Sequence, residues 1–198
     1  MARTIAKDHD EKRALIRKAA AKVFAQQGFD RASMSMLARE AGISKANIYH
    51  YYDGKDALLF DLLDSKLSGL LAQIEGVGVD GLRPEDALRK TITETLLAYE
   101  GEDYEHQVQT TLLGVLPEEQ QSVLLGYQRA MVRRLSALVA AVAPDGVAGD
   151  RGKLHSVTMS IFGMLNWFYM WKPGATAEDR REYADLVTDL VLKGAPEI

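Results

Sequence analysis

Lys45, Asn47, Tyr49 and His50 fall within the single short stretch Ser44-Lys45-Ala46-Asn47-Ile48-Tyr49-His50. An ammonium, an amide, a phenol and an imidazole presented together suit phosphate oxygens and the edges of bases. They do not make a nucleophile with its base, and nothing elsewhere supplies one. The chain has no glycine-rich phosphate loop, no nucleophile motif, no cysteine and no histidine-rich cluster, so enzyme chemistry, a bound cofactor and a metal site are not expected.

The residues around this stretch are of the kind that would position it. Leu37, Ala38 and Ala41 share one side of a first short helix, and Ala38 is small enough to let a second helix cross closely. Gly42 supplies the left-handed residue that ends that helix, and Ser44 is placed to cap the next. Ile48 faces inward, which leaves Lys45, Ala46, Asn47, Tyr49 and His50 looking out. Two short helices joined by a glycine turn form the outline of a helix-turn-helix built to enter a DNA major groove. The expected DNA contacts are Ser33, Ser44, Lys45, Ala46, Asn47, Tyr49, His50 and Lys55, the last an ammonium near the start of the following helix.

Arg13 to Leu59 resembles the DNA-binding domain of the TetR family of bacterial transcriptional regulators. The resemblance rests on Ala20, Phe24, Gly28-Phe29, Met36-Leu37-Ala38, Ala41-Gly42-Ile43-Ser44-Lys45, Tyr49-His50-Tyr51-Tyr52 and Lys55. Tyr52 stands where phenylalanine is more usual in that family, and Asp53-Gly54 replaces a commoner pair. Neither change removes an inward ring or a helix cap.

The net charge of −4 opposes DNA binding until it is divided along the chain. Residues 1 to 55 carry 11 lysines and arginines against 6 acids, whereas residues 56 to 198 carry 13 against 22. The basic part is the part with the helix-turn-helix, as a polarised DNA binder requires. Its N-terminal arm holds Arg3, Lys7, Lys12, Arg13, Arg17 and Lys18, some of which are expected to reach phosphates or the minor groove. No apolar run approaches the roughly 20 residues of a membrane span, so a cytoplasmic protein is expected.

The rest of the chain reads as helix. Leu15, Ile16, Ala19, Val23 and Phe24 recur at helical spacing, with Gly28 closing that helix. Leu58, Leu59, Leu62, Leu63, Leu67 and Leu70 form a stripe from about 54 to 75. Pro84 opens a helix through Ala98. Further helices are expected at about 103 to 114, 117 to 142, 150 to 171 and 176 to 193, with Pro144-Asp145-Gly146 as a break and His106 on a solvated face. Ile161 to Trp171 is apolar nearly all round and so must be covered all round, which implies a second subunit on one side and the chain's own core or a cavity on the other. The last helix offers Leu186, Val187, Leu190 and Val191 as one stripe. The expected fold is therefore all-α, with a three-helix DNA-binding domain at 1–53 and a helical ligand-binding and dimerisation bundle at 54–198.

The family resemblance implies more than the spacing does. TetR regulators are homodimers that bind palindromic double-stranded DNA operators and are released by a small-molecule effector held among the middle helices. Gly163 to Gly174, with Asn166-Trp167 and Trp171-Lys172-Pro173-Gly174, resembles a subset that governs catabolism and senses acyl-CoA thioesters. By that resemblance the effector would meet Met131, Phe162, Leu165, Asn166 and Phe168, with its phosphates toward Arg133 and Arg134. The rival readings are a regulator of efflux or stress genes answering a hydrophobic molecule and, more remotely, a helical ligand carrier or enzyme.

Overall fold

The computed structural model describes residues 2 to 194, with side chains from His9 onward. Ten α-helices and no strand occur among them: α1 (Ala2–Gln27), α2 (Met34–Glu40), α3 (Lys45–Ile48), α4 (Lys55–Gly76), α5 (Pro84–Leu97), α6 (Asp103–Leu112), α7 (Glu118–Ala140), α8 (Asp145–Ala148), α9 (Arg151–Trp171) and α10 (Ala177–Gly194). The all-α expectation holds. No helix of the described residues is long and apolar enough to cross a membrane. The chain divides into two compact units, one of residues 1–67 with 104–124 and one of residues 68–103 with 125–198.

In the first unit, Ile16, Ala20, Phe24, Leu37, Ile48, Leu58, Leu59, Leu62 and Leu63 are buried. They bring the inward stripes of α1, α2, α3 and α4 together, and area removed from water is what stabilises such short helices. Gly28 ends α1 at a φ of 78°, its amide bonded to the Phe24 carbonyl at 3.0 Å. The N-terminal arm is helical from Ala2 onward, while Arg3 and Lys7 lie outside the described side chains. His106, expected on a solvated face, is only 2% exposed, because α6 turns His106 and Val108 inward together.

In the second unit, α10 lies along α5. Leu88, Ile92 and Leu96 of α5 and Ala184, Val187 and Val191 of α10 are buried. The buried hydroxyls of Thr91, Thr95 and Thr188 donate to carbonyls one turn back, at 2.9, 2.7 and 2.7 Å, which removes the penalty of hiding them. Outside this core, Arg89 reaches Asp185 at 2.8 Å and also Asp189. Asp150 caps α9 by accepting from the Gly152 and Lys153 amides. The expected break at Pro144-Asp145-Gly146 instead contains α8, a single turn with Pro144 at its N-cap, where a ring-fixed φ favours a turn. The stripe expected on the last helix splits: Val187 and Val191 face inward, whereas Leu186 and Leu190 are each 54% exposed. Val123 of α7 is also exposed.

Candidate nucleic-acid interface and ligand-binding unit

The turn between α2 and α3 is built from backbone bonds. Gly42 has a φ of 67°, and around it the Gly42 amide donates to the Arg39 carbonyl at 3.1 Å while the Ile43 amide donates to the Ala38 carbonyl at 3.0 Å. This pair of closing bonds, five back to two and six back to one, satisfies the last carbonyls of α2 and needs a left-handed residue at Gly42. Ser33 accepts from the Met36 amide at 3.3 Å and Ser44 from the Asn47 amide at 3.0 Å. Each hydroxyl oxygen is thus spent on a cap, while its hydrogen stays available to donate outward.

The expected reading helix is shorter than the stretch 45 to 51. α3 ends at Ile48, and Tyr49 to Tyr51 continue as tighter turns in which His50 bonds back to Asn47 and Tyr51 to Ile48. Ile48 is fully buried and holds the segment down. Lys45, Ala46, Tyr49 and His50 are exposed, Tyr49 to 46%, and Asn47 is half-buried. These side chains form one solvent-facing set of donors and acceptors. Lys55 faces elsewhere: its ammonium donates to the carbonyls of Phe29 at 2.8 Å and Asp30 at 3.3 Å and lies over the Phe29 ring. It ties the start of α4 to the turn that follows α1.

Arg13 and Arg17, grouped with the arm as phosphate contacts, are turned to another use. Both guanidinium groups engage the Asp61 carboxylate, Arg17 at 3.0 Å. The Tyr52 hydroxyl donates to the same carboxylate at 2.6 Å. One acid of α4 therefore gathers α1 and the segment just beyond the reading stretch. Burial, and then the bond to Asp61, raise the Tyr52 hydroxyl above its ordinary pKa. The signal for this cluster was in the sequence as the tyrosine where phenylalanine is usual, but the partner nine residues on was not identifiable from spacing.

Among residues proposed to meet an effector, Met131, Phe162, Leu165 and Phe168 are buried, Arg133 is exposed and Arg134 half-buried. Phe168 stacks on Tyr183 at 4.6 Å and meets Trp171 edge-on. The Asn166 side-chain oxygen accepts from the Tyr99 hydroxyl at 3.0 Å, so the amide has a polar partner within its apolar run. A cavity of about 570 Å³ lies along α9 and α10, lined by Asp150, Lys153, Ser156, Ile161, Met164 and Leu190 among others. None of the expected effector residues lines it. On the outer face of the same helices, Met159, Trp167, Met170, Leu186 and Leu190 are exposed, Trp167 to 60%.

The helix-turn-helix and the helices behind it are matched from residue 16 to 62 by the family described as bacterial regulatory proteins of the tetR family. The helices from α5 to α10 fall within a match over residues 81–195 to the tetracyclin repressor-like C-terminal domain. The chain belongs to the TetR family. A TetR-family transcriptional regulator from Bordetella parapertussis 12822 is 31% identical, the match covering 94% of this chain and 96% of that one with a TM-score of 0.84. The HTH-type regulator YuxN of Bacillus subtilis (strain 168) is 36% identical over 83 residues, 42% of this chain. The match spans only 28% of the length of that relative. AibR, solved in complex with isovaleryl coenzyme A and operator DNA, shares the fold at 22% identity and a TM-score of 0.75, over 93% of this chain and 98% of that one. Membership of the TetR family makes this a DNA-binding transcriptional regulator, ligand-responsive as the family is, and not an enzyme.

Proposed function

We propose that the chain is a homodimeric repressor of a catabolic operon, released from a palindromic operator by an acyl-CoA thioester. In this reading residues 1–53 read DNA, with Ser33, Ser44, Lys45, Ala46, Asn47, Tyr49 and His50 at the groove and Lys55 beside it, and residues 54–198 hold the effector and the second subunit. The observation that carries the DNA part is the exposed set from Lys45 to His50 mounted on the buried Ile48. Such side chains gain nothing for the fold, and they match phosphates and base edges.

The dimer is supported by Met159, Trp167, Met170, Leu186 and Leu190, which leave an apolar face on α9 and α10. Large exposed apolar patches of this kind mark interfaces. The thioester is supported by the fold shared with AibR; in this reading its acyl part meets Met131, Phe162, Leu165, Asn166 and Phe168, and its phosphates meet Arg133 and Arg134 of α7.

The test starts by selecting the operator from a random duplex pool. The complex is then titrated, by fluorescence anisotropy, with isovaleryl-CoA, phenylacetyl-CoA and a long-chain acyl-CoA, alongside free CoA and the free acids. A thioester should release the DNA at micromolar concentration, a concentration at which neither free CoA nor the free acid does so. If no thioester changes DNA binding but a neutral hydrophobic compound does, the reading as a regulator of efflux or stress genes replaces this one.

A further inference from the structure

Arg180 is the largest fully buried side chain of the described residues, with only 1% of its surface exposed. A buried guanidinium carries a charge and five N–H donors, and such groups are normally matched by close, often bidentate, anionic partners at about 2.7–2.9 Å. Arg180 is not matched in that way. Its Nη1 donates to the Leu96 carbonyl at 3.4 Å, and its Nη2 stands 3.6 Å from Asp103 Oδ1. Its carbon lies over the Phe168 ring at 5.7 Å. Its Nε is buried with no hydrogen-bond partner among the described residues.

The surroundings differ in stiffness on the two sides of this pair. Arg180 stands on a start of α10 that is closed from both directions: Thr176 accepts from the Asp179 amide at 3.2 Å, Asp179 accepts from the Thr176 amide at 2.8 Å, and Lys172 bonds Asp179 at 2.6 Å. That reciprocal cap holds the guanidinium where it is. Asp103, by contrast, has a side chain about one third exposed, and its other oxygen accepts only a 3.3 Å bond from the Gly174 amide. Its carboxylate sits at the position an anion would take, beyond hydrogen-bonding distance of the group it faces.

We propose that Arg180 is the anion anchor of the effector site, and that Asp103 is an internal stand-in which the effector's anionic oxygen group, a carboxylate or a phosphate, displaces. The inference rests on the ligand-responsive reading above but not on the thioester. An entering anion would give the Arg180 donors the short bonds that they lack, and it would move a carboxylate that already reaches solvent. The displacement also has a consequence along the chain. Asp103 is the first residue of α6, and the same helix holds α1 through the Gln26 amide on the Tyr104 hydroxyl at 3.1 Å and the Gln107 amide on the Ala25 carbonyl at 3.4 Å. Freeing the first turn of α6 therefore loosens a helix that grips the DNA-reading unit's longest helix.

The experiment uses the full chain bound to its selected operator. Butyrate, hexanoate and octanoate, their primary amides, and inorganic phosphate are titrated while melting temperature and operator anisotropy are read. At least one anion should raise the melting temperature and weaken DNA binding, and the matching amide should do neither. In Asp103→Asn the internal competitor loses its charge, and the half-saturating concentration of that anion should fall about tenfold, which corresponds to 1.4 kcal/mol. Arg180→Met should abolish the response. Should that variant fail to melt cooperatively, Arg180→Lys, which keeps a cation but loses the fork, should shift the response to higher concentration.

Response to a carboxylate and not phosphate, or the reverse, identifies the source of the anion. Equal responses to acid and amide, or an unchanged half-saturating concentration in Asp103→Asn, would overturn the proposal, and so would silence from every anion. The two readings fail separately: a small-anion response that is lost in Arg180→Met, with silence from every thioester, removes only the thioester, whereas a thioester response unchanged in Arg180→Met removes only the anchor.

Discussion

Replacing Tyr52 with phenylalanine removes one oxygen and leaves the ring, so it isolates the hydroxyl bond to Asp61 without opening a cavity. The bond is 2.6 Å long and ends on a carboxylate whose side chain is 19% exposed. Hydrogen bonds to charged groups contribute about 1.5–3 kcal/mol. Asp61 keeps Arg13 and Arg17 after the change, and water reaches part of it, so the lower end applies: about 1.5 kcal/mol, or roughly tenfold in the folding equilibrium. Asp61→Asn disturbs all three partners at once and should cost more, about 3 kcal/mol. In that background Tyr52→Phe should lose most of its effect, giving a coupling energy of about 1 kcal/mol. Urea titrations of the four proteins at one protein concentration would supply the cycle, because fixed concentration holds the contribution of self-association constant. If Tyr52→Phe is neutral or stabilising in the wild-type background, or its cost is undiminished in Asp61→Asn, then the hydroxyl does not hold the cluster together.

Two further outcomes are expected. Lys45→Ala should weaken operator binding about equally across sequences and reduce the salt slope by about one, while the melting temperature stays put, because the side chain is exposed; an unchanged slope would remove Lys45 from the phosphate contacts. Leu190→Asp places a charge on the exposed face of α10 and should yield a monomer in sedimentation if that face is covered by a second subunit; an intact dimer would put the interface elsewhere.

How far the sequence could be read depended on whether a residue's role was set by near neighbours. Gly42, Ser44 and Ile48 act over one turn of chain, and the positive φ, the cap and the burial all appear where spacing placed them. Arg180 stands in the run Glu178-Asp179-Arg180-Arg181-Glu182, whose composition is that of a solvated face. Only the packing of α10 on α5 turns one of its two arginines inward. Arg13 and Arg17 stand 48 and 44 positions before Asp61, so no local pattern couples them to it. Leu186 and Val187 show the same limit from the other side: both are apolar, yet one is exposed and the other buried, because which side of a helix meets the core is decided by the partner helix. Asn166 is the lone amide in the run from Ile161 to Trp171, and no spacing points to its partner Tyr99, 67 positions away.

The mount that carries Lys45 to His50 has a consequence for how such a protein changes over time. Gly42 must keep a left-handed backbone, yet a side chain there would meet nothing within 4 Å, so the turn constrains a dihedral angle and not a volume. Ile48 and the caps at Ser33 and Ser44 bear the stability of the segment, whereas Lys45, Ala46, Tyr49 and His50 stand clear of the core. Exchanges at such surface positions usually shift stability by less than about 0.5 kcal/mol. Affinity for a new operator can therefore be acquired one letter at a time, with each intermediate still folded, and descendants of one ancestor can diverge in the genes they govern long before their scaffolds diverge.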